Sequence, residues 1–285
     1  MSNSDASDRR PAQTLYAVTF LFWVAQYCYS AYINPELERM GATATFMGLV
    51  GGVYGFTQLA LRIPLGLAAD RLGRQKLFIV LGCALALVSA LGMYLFYTPM
   101  GFLVFRALSG VSSASWVCFT VLYSRYFPAG ESSGRIAQLN MSNQSGRLLC
   151  FVLVGLAVSR WNVGASFLLS ALGALAAFVL SLRVADRPTE HKATTLADFL
   201  SVMKERDLVV CSLLGALGQM VAFSTMFTFA SNVQKALGVD NAMLSYLNVA
   251  LLVANVGANL VLGRMLLQGR DPRRMLCVGF GRGEA

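Results

Sequence analysis

Three arginines lie inside apolar stretches that are long enough to span a lipid bilayer: Arg62, Arg106 and Arg147. A charged side chain at the centre of a membrane helix opposes insertion by about 2.5–3.5 kcal/mol, so the three together oppose it by up to roughly 10 kcal/mol. Groups this costly face a water-filled cavity or a partner. We therefore expect the three arginines to offer positive charge to a small anionic ligand.

Polar residues recur at helical spacing beside each arginine. Tyr54 and Gln58 precede Arg62 by two turns and one turn, and residues four apart share a helix face. The other polar stripes are Arg106 with Gly110 and Ser113, Asn140 with Asn143, Gln144 and Arg147, and Asn248 with Asn255 and Asn259. Four stripes predict a shared aqueous cavity. Hydrogen bonds that serve only packing, worth about 0.6 kcal/mol each, are the alternative, and for the asparagines both interpretations stay open.

The composition predicts the elements that must position these residues. Of 285 residues, 56% are hydrophobic and 13% are charged, and the mean hydropathy is +0.60. Runs of about 20 apolar residues mark bilayer-spanning helices. Eight such runs cover residues 14–34, 46–68, 77–97, 100–123, 137–158, 162–183, 208–230 and 242–266, and a ninth begins near Met275. The predicted fold class is an all-α membrane protein.

Basic residues are distributed unequally between the two predicted sides of the membrane. Sixteen Lys and Arg fall in loops on one side, whereas Arg39, Arg160 and Lys235 fall on the other. This positive-inside bias places the N-terminus in the cytoplasm and explains the net charge of +9 without nucleic-acid binding. The expected location is the plasma or inner membrane, with several membrane passes.

The segment from Gly66 to Lys76 joins the second and third apolar runs and carries glycines and charges at a distinctive spacing. It resembles the loop between helices 2 and 3 of the major facilitator superfamily of secondary transporters. The matching residues are Gly66, Asp70, Arg71, Gly73, Arg74 and Lys76, and Gln75 departs from the pattern. An ordinary basic loop that only sets topology is the alternative. Gly66 would allow a close helix approach, and Gly73 a tight reversal.

The resemblance implies two six-helix halves that alternate in access around a central cavity. The expected organisation is a disordered tail over 1–13, an N-terminal bundle over 14–184, a cytoplasmic linker over 185–207 and part of a second bundle over 208–285. A shift of 197 residues places Gly263 on Gly66, which suggests a degenerate internal repeat of parallel halves. By the same shift the chain is expected to end inside its ninth helix. A complete eight-helix protein is the alternative.

Two shorter resemblances bear on the substrate. Arg106 and Gly110 match a family motif on helix 4 whose arginine is associated with proton coupling, and Arg62 lies in a segment similar to that of anion-handling members. Arg147 follows Gly146 where drug antiporters carry proline, which argues against that subgroup. None of the fourteen Asp and Glu residues falls in the middle of a predicted span. A carboxylate proton relay is therefore not expected in this part of the molecule.

We therefore predict a secondary transporter of a small, anionic solute, with a proton or another ion as a possible coupling partner. The six motif residues from Gly66 to Lys76 are assigned to gating. The alternatives are proton-coupled drug or metabolite efflux and a truncated membrane protein that does not transport. Enzyme motifs are absent from the sequence, so no catalytic activity, cofactor or metal is expected. The six cysteines and His191 are expected to be structural or solvated. Membrane lipids are the expected surroundings, and the chain is expected to be a monomer.

Overall fold

The computed structural model describes residues 3–128 and 132–187 and single positions between 206 and 253. Within these residues the chain forms α-helices and no strand. The helices of the two continuous ranges are α1 (Asn3–Tyr27), α2 (Ile33–Arg39), α3 (Ala44–Leu72), α4 (Gln75–Leu95), α5 (Pro99–Ala114), α6 (Trp116–Arg125), α7 (Ser132–Arg160) and α8 (Gly164–Ser181). The prediction of an all-α fold is confirmed.

Five of the described segments are long and apolar enough to cross a membrane: α3, α4, α5 together with α6, α7 and α8. With α1, they correspond to the first six predicted spans. Most of the linker and of the second bundle, including Asn248 and Asn255, lies outside the described residues. The single described positions from 206 to 217 and from 243 to 253 are helical.

The first helix differs from the sequence prediction at both ends. The helix α1 begins at Asn3, inside the segment predicted as a tail over 1–13. Pro11 lies inside α1, where it has no amide hydrogen to donate to the carbonyl four residues earlier. Burial against the bundle begins at Ala12.

At its other end, α1 stops at Tyr27 and not near residue 34. The amides of Ser30 and Tyr32 bond to carbonyls three residues back, at 3.1 and 3.0 Å, which tightens the chain into turns. Ser30 Oγ also donates to the Tyr27 carbonyl at 2.7 Å. The short helix α2 follows, and its Ile33 and Leu37 are buried in a cluster with Phe102 and Phe167.

The fourth predicted span is divided into α5 and α6 at Ser115. Ser115 Oγ donates to the carbonyl of Ser112 at 2.7 Å, a back-bond of the kind that bends helices. Gly82 of α4 lies directly opposite, because a Cβ on it would be 2.2 Å from Ser115 Oγ. The bend in α5–α6 and the glycine in α4 therefore fit each other.

The helix pairs in most extensive contact are α3 with α5, α4 with α8, α1 with α8, α4 with α5 and α1 with α7. Glycines allow two of these approaches. A Cβ on Gly110 would lie 2.1 Å from Thr57 Oγ1 and 2.3 Å from the Tyr54 carbonyl oxygen, and one on Gly146 would lie 2.5 Å from the Phe20 carbonyl oxygen. The main core contains aromatic pairs such as Trp23 with Trp116, whose ring centroids are 5.4 Å apart.

We predict that Gly110→Ala lowers the melting temperature of the purified protein in detergent, because the methyl group would meet the α3 backbone, and overpacking of this kind costs about 1–3 kcal/mol. The matched control is Gly48→Ala on α3, where a Cβ has nothing within 4 Å. Replacing a helical glycine by alanine at an open site should leave the free energy of unfolding unchanged or raise it by about 0.5–1 kcal/mol. Equal melting temperatures for the two variants would show that α3 and α5 are not this close.

Candidate binding site and cytoplasmic cluster

Arg106 extends from α5 into a group of tyrosine side chains. Its Cζ lies 4.2 Å from the ring centroid of Tyr54 on α3 and 5.6 Å from that of Tyr29, which follows α1. Cation–π contacts at these distances are worth about 0.5–2 kcal/mol. The Nη1 atom is buried and has no hydrogen-bond acceptor among the residues that the structure describes. The described surroundings therefore hold the charge but do not neutralise it.

A neutral hydrogen-bond network lies behind Arg106 and connects four helical segments. Tyr54 Oη donates to Ser113 Oγ at 3.0 Å, and Tyr29 Oη and Ser109 Oγ are 2.8 Å apart. Gln26 of α1 donates to Ser112 Oγ at 2.9 Å and accepts from Ser109 Oγ at 2.8 Å. Ser112 Oγ in turn donates to the carbonyl of Gly82 at 2.7 Å. Every partner in this network is uncharged.

Arg147 occupies a comparable position on α7. Its Cζ lies 4.2 Å from the ring centroid of Tyr27, the last residue of α1, and Nη1 donates to Gln144 Oε1 at 2.9 Å. The neighbouring Asn143 is half-buried, and its Oδ1 has no donor in the described ranges. Three of the predicted site residues therefore lie together on this helix.

The two arginine groups are adjacent in the structure. Tyr27 contacts Arg147, and Tyr29 contacts Arg106. Because only one residue separates the two tyrosines, the arginines that contact them are brought near each other. Tyr54 and Tyr29 both contact Arg106, so α3 and the end of α1 meet at this side chain. We call these five residues the arginine–tyrosine cluster. It brings α1, α3, α5 and α7 to one place.

The structure separates Arg62 from this cluster. Arg62 lies two turns beyond Tyr54 on α3, is exposed, and makes no hydrogen bond or ion pair within the described part of the chain. Gln58 is half-buried between them.

The sequence analysis did not identify Gln26, Tyr29, Ser109 and Ser112 as site residues. A signal was present for the two serines, because Ser109, Ser112 and Ser113 are spaced three and four residues apart and so share one polar face of a helix.

A second group of residues surrounds the loop between α3 and α4. Gly73 ends α3 in the left-handed region at φ 63°, and its amide bonds to the Asp70 carbonyl at 3.1 Å. Asp70 Oδ1 accepts from Gln75 Nε2 at 2.8 Å and from Arg125 Nη2 at 3.4 Å. Gln75 is buried, with 1% of its surface exposed. The residue that departs from the family pattern thus forms the shortest contact to the motif carboxylate.

The same loop contacts the segment after α8. Lys76 Nζ donates to the Leu182 carbonyl at 2.9 Å, and its amide donates to Asp186 Oδ1 at 3.4 Å. Arg187 Nη1 donates to the carbonyl of Arg125 at 3.2 Å. With Asp70 and Gln75, these residues form what we call the loop cluster. Tyr126 Oη donates to the Ala185 carbonyl beside it, and burial, with a smaller effect of Asp186, raises the pKa of that tyrosine.

The remaining motif residues lie at the edge of the loop cluster. Arg71 and Arg74 are exposed. A Cβ on Gly66 would lie 3.7 Å from Val117 Cγ1, which is ordinary contact. The close helix approach expected at this glycine is therefore not a steric requirement of the described helices.

A buried carboxylate joins α2 to the segment after α4 at the opposite ends of these helices. Glu36 of α2 is 4% exposed, and its Oε2 accepts from Arg39 Nε and from Tyr97 Oη, both at 2.8 Å. Glu36 raises the pKa of Arg39, and burial followed by the contact with Glu36 raises the pKa of Tyr97. This buried carboxylate is therefore already paired, with Arg39 and Tyr97 as its partners.

The family model for the Major Facilitator Superfamily matches residues 15–281. The chain belongs to the major facilitator superfamily. Its members are membrane transporters, which points to transport and not to catalysis, and the resemblance seen at Gly66–Lys76 is confirmed.

Curated relatives of this superfamily are similar to parts of the chain. An uncharacterized transporter of Buchnera aphidicola is 30% identical over 94 residues, which cover 33% of this chain and 22% of the relative. The inner membrane transport protein YajR of Escherichia coli is 28% identical over 155 residues, which cover 54% of this chain and 34% of YajR. The match thus spans about a third or less of these relatives.

Among solved superfamily structures, the fold is similar to a bacterial homologue of the human lysosomal transporter Spinster, in an inward-facing and unoccupied conformation. The TM-score is 0.74 at 18% identity, over 93% of this chain and 64% of the homologue. At this identity the likeness shows the fold alone.

We predict that Gln26→Leu lowers the melting temperature, because it removes the amide that pairs with Ser109 and Ser112. A buried polar group left without its partner costs about 1–3 kcal/mol. Gln138→Leu is the control, since Gln138 is exposed on α7. Thermal unfolding of both purified variants in the same detergent provides the comparison, and a loss no larger than in the control would contradict the described network.

Proposed function

We propose that this transporter carries a small anionic solute across the cytoplasmic membrane, with the arginine–tyrosine cluster as part of the binding site. The observation that carries this proposal is that Arg147 contacts Tyr27 and Arg106 contacts Tyr29, and a single residue separates these two tyrosines. No Asp or Glu lies in any of the eight predicted spans. Two fixed positive charges in an apolar bundle favour an anion as their partner.

The energies support a ligand role for both arginines. Cation–π contacts return about 0.5–2 kcal/mol per arginine, whereas each guanidinium in mid-membrane costs about 2.5–3.5 kcal/mol. Tyrosine rings alone therefore do not offset the cost of the charge. Arg106, whose buried Nη1 has no acceptor among the described residues, can offer donors to a carboxylate or another oxyanion.

The transport cycle that we propose is alternating access between two six-helix halves, with the N-terminus in the cytoplasm. The neutral network through Gln26, Ser109 and Ser112 supports it, because it joins α1 to α5 and would let the described bundle move as one body. The solute would bind between this bundle and the second half. The protein would act as a monomer, and coupling to a proton or another ion is part of the proposal.

We assign the loop cluster to gating. The contact between Asp70 and Arg125 is 3.4 Å long and partly exposed, with 34% and 22% of the side-chain surfaces accessible. Such a pair is worth about 0–1 kcal/mol, weak enough to break during a conformational change. The exposed Arg71 and Arg74 are free on the surface to meet the other half in one state.

Proton-coupled efflux is the second candidate function, favoured by the match of Arg106 and Gly110 to the helix 4 motif. The lack of acidic residues in the predicted spans disfavours it, since proton transfer through the bilayer usually uses carboxylates or histidine. Export of drugs or metabolites driven by a pH gradient, without uptake of anions, would favour this candidate over the anion proposal.

We predict that Arg106→Gln and Arg147→Gln each reduce anion uptake at least tenfold. Losing a charged hydrogen bond costs about 1.5–3 kcal/mol, and 1.4 kcal/mol corresponds to a factor of ten. Uptake is measured in proteoliposomes with labelled anions, neutral sugars and organic cations. Arg160→Gln, at the exposed end of α7, is the matched control and should retain uptake. Uptake restricted to sugars or cations, or anion uptake that both cluster variants retain, would refute the proposal.

We predict that Asp70→Asn shifts the balance of inward- and outward-facing states by up to about fivefold, because it removes an ion pair worth up to about 1 kcal/mol. A cysteine at position 58 on α3, labelled by an impermeant maleimide from each side of the membrane, reports the balance. Glu38→Gln, on the exposed side of α2, is the control. Labelling rates that match those of the control would remove the loop cluster from gating.

A further inference from the structure

We propose that α4 and α8, at the ends that lie beside the loop cluster, bind the headgroup of an anionic phospholipid. Lys76 and Arg183 are the side chains that would contact its phosphate. The proposal concerns the outer surface of the bundle and does not depend on which solute the protein carries.

Helices α4 and α8 each have an exposed apolar face. On α4 the exposed residues include Leu77, Leu81 and Val88. On α8 the exposed apolar residues recur every three or four positions: Leu168, Leu172, Leu175, Val179 and Leu182. Residues at this spacing share one helix face, so they form a continuous stripe along α8. Because the two helices pack against each other, their faces together offer a surface to the acyl chains of a lipid.

Two basic side chains lie where these apolar faces end. Lys76 is the second residue of α4, and Arg183 follows the last turn of α8. Lys76 Nζ donates to the carbonyl of Leu182 at 2.9 Å, and the carbon of that carbonyl is bonded to the backbone nitrogen of Arg183. A cation at this place also suits the unpaired carbonyls at the end of α8. The ammonium group is therefore fixed beside Arg183, next to the exposed Leu77 and Leu182.

Neither basic side chain is paired with a carboxylate in the part of the chain that the structure describes. Asp186 lies close by and accepts from the backbone amide of Lys76 at 3.4 Å, but it forms no ion pair with Lys76 or Arg183. Arg183 is exposed, and the ammonium of Lys76 uses one of its three donors on Leu182. Donors therefore remain for an anion, and charge-assisted hydrogen bonds to phosphate are among the strong ones.

An anionic phospholipid matches this place better than other phosphate compounds do. Basic pockets between membrane helices on the cytoplasmic side bind anionic headgroups, and this is the side that the basic loops predict for Lys76. A lipid supplies a phosphate for the two cations and chains for the apolar faces, whereas a soluble phosphate uses only the cations. A choline headgroup would bring a further positive charge to them. Phosphatidylglycerol, which carries one net negative charge, meets both requirements.

The test is native mass spectrometry of the purified chain of 285 residues in detergent, with phosphatidylglycerol and phosphatidylcholine of equal chain length. Phosphatidylglycerol should bind about tenfold more tightly or better. Each basic residue beside an anionic lipid contributes about fivefold to the affinity, so Arg183→Gln should weaken phosphatidylglycerol binding about fivefold. Combining it with Lys76→Gln should weaken binding about twentyfold, and Arg183→Lys, which keeps the charge, should retain it.

Arg10→Gln is the matched control, because it removes an exposed positive charge of α1 from the same predicted side of the membrane. It should leave the affinity for phosphatidylglycerol unchanged, and size-exclusion profiles establish that all variants are folded. Equal affinities for the two lipids, or equal losses in Arg10→Gln and Arg183→Gln, would overturn the proposal. So would displacement of the lipid by inorganic phosphate or glycerophosphoglycerol, because the two cations would then hold a soluble phosphate.

Discussion

Positive charge inside an apolar bundle, with no acidic residue in the spans to compensate it, is the constraint around which the described structure is arranged. Arg106 and Arg147 are placed against tyrosine rings, which attract a cation through their π-systems yet remain uncharged. Gln26 and the serines of α5 hold these rings and helices in position through neutral hydrogen bonds. The described bundle therefore places both guanidinium groups against uncharged rings.

The charged residues that do have partners are found at the helix ends. Near the loop between α3 and α4, Asp70 is held by Arg125 and by the buried Gln75. At the opposite ends, Glu36 is held by Arg39 and Tyr97. The two described ion pairs therefore lie at helix ends, whereas neutral groups connect α1, α3, α4 and α5 in the membrane. This separation suits a transporter, because loop contacts can change while the helix packing stays constant.

The likeness to the Spinster homologue and the match to the superfamily model agree on the architecture. Both extend over most of the chain. The details that distinguish this protein are local. Glutamine replaces a basic residue at position 75 of the loop motif, and arginine stands where drug antiporters have proline at position 147. In the structure, each of these residues makes a defined hydrogen bond within its cluster.

Much of the fold could be predicted from the sequence. Apolar length determined the membrane spans, since a helix must cover the hydrocarbon core, and the spacing around Asp70 identified the family. Periodicity also placed Gln144 and Arg147 on one face of α7. It could not show that α1 ends at Tyr27 or that Ser115 divides the fourth span. Both breaks depend on side-chain bonds to the backbone and on contacts with neighbouring helices.

The sequence by itself determined that three arginines enter the membrane without acidic neighbours. Only the tertiary structure decided that Arg106 and Arg147 meet through Tyr27 and Tyr29 while Arg62 lies apart on α3. The physical reason is that helical spacing assigns a residue to a face, whereas the helix that covers this face is chosen by packing. That choice depends on close approaches such as the one at Gly110, which are contacts between residues far apart in the chain.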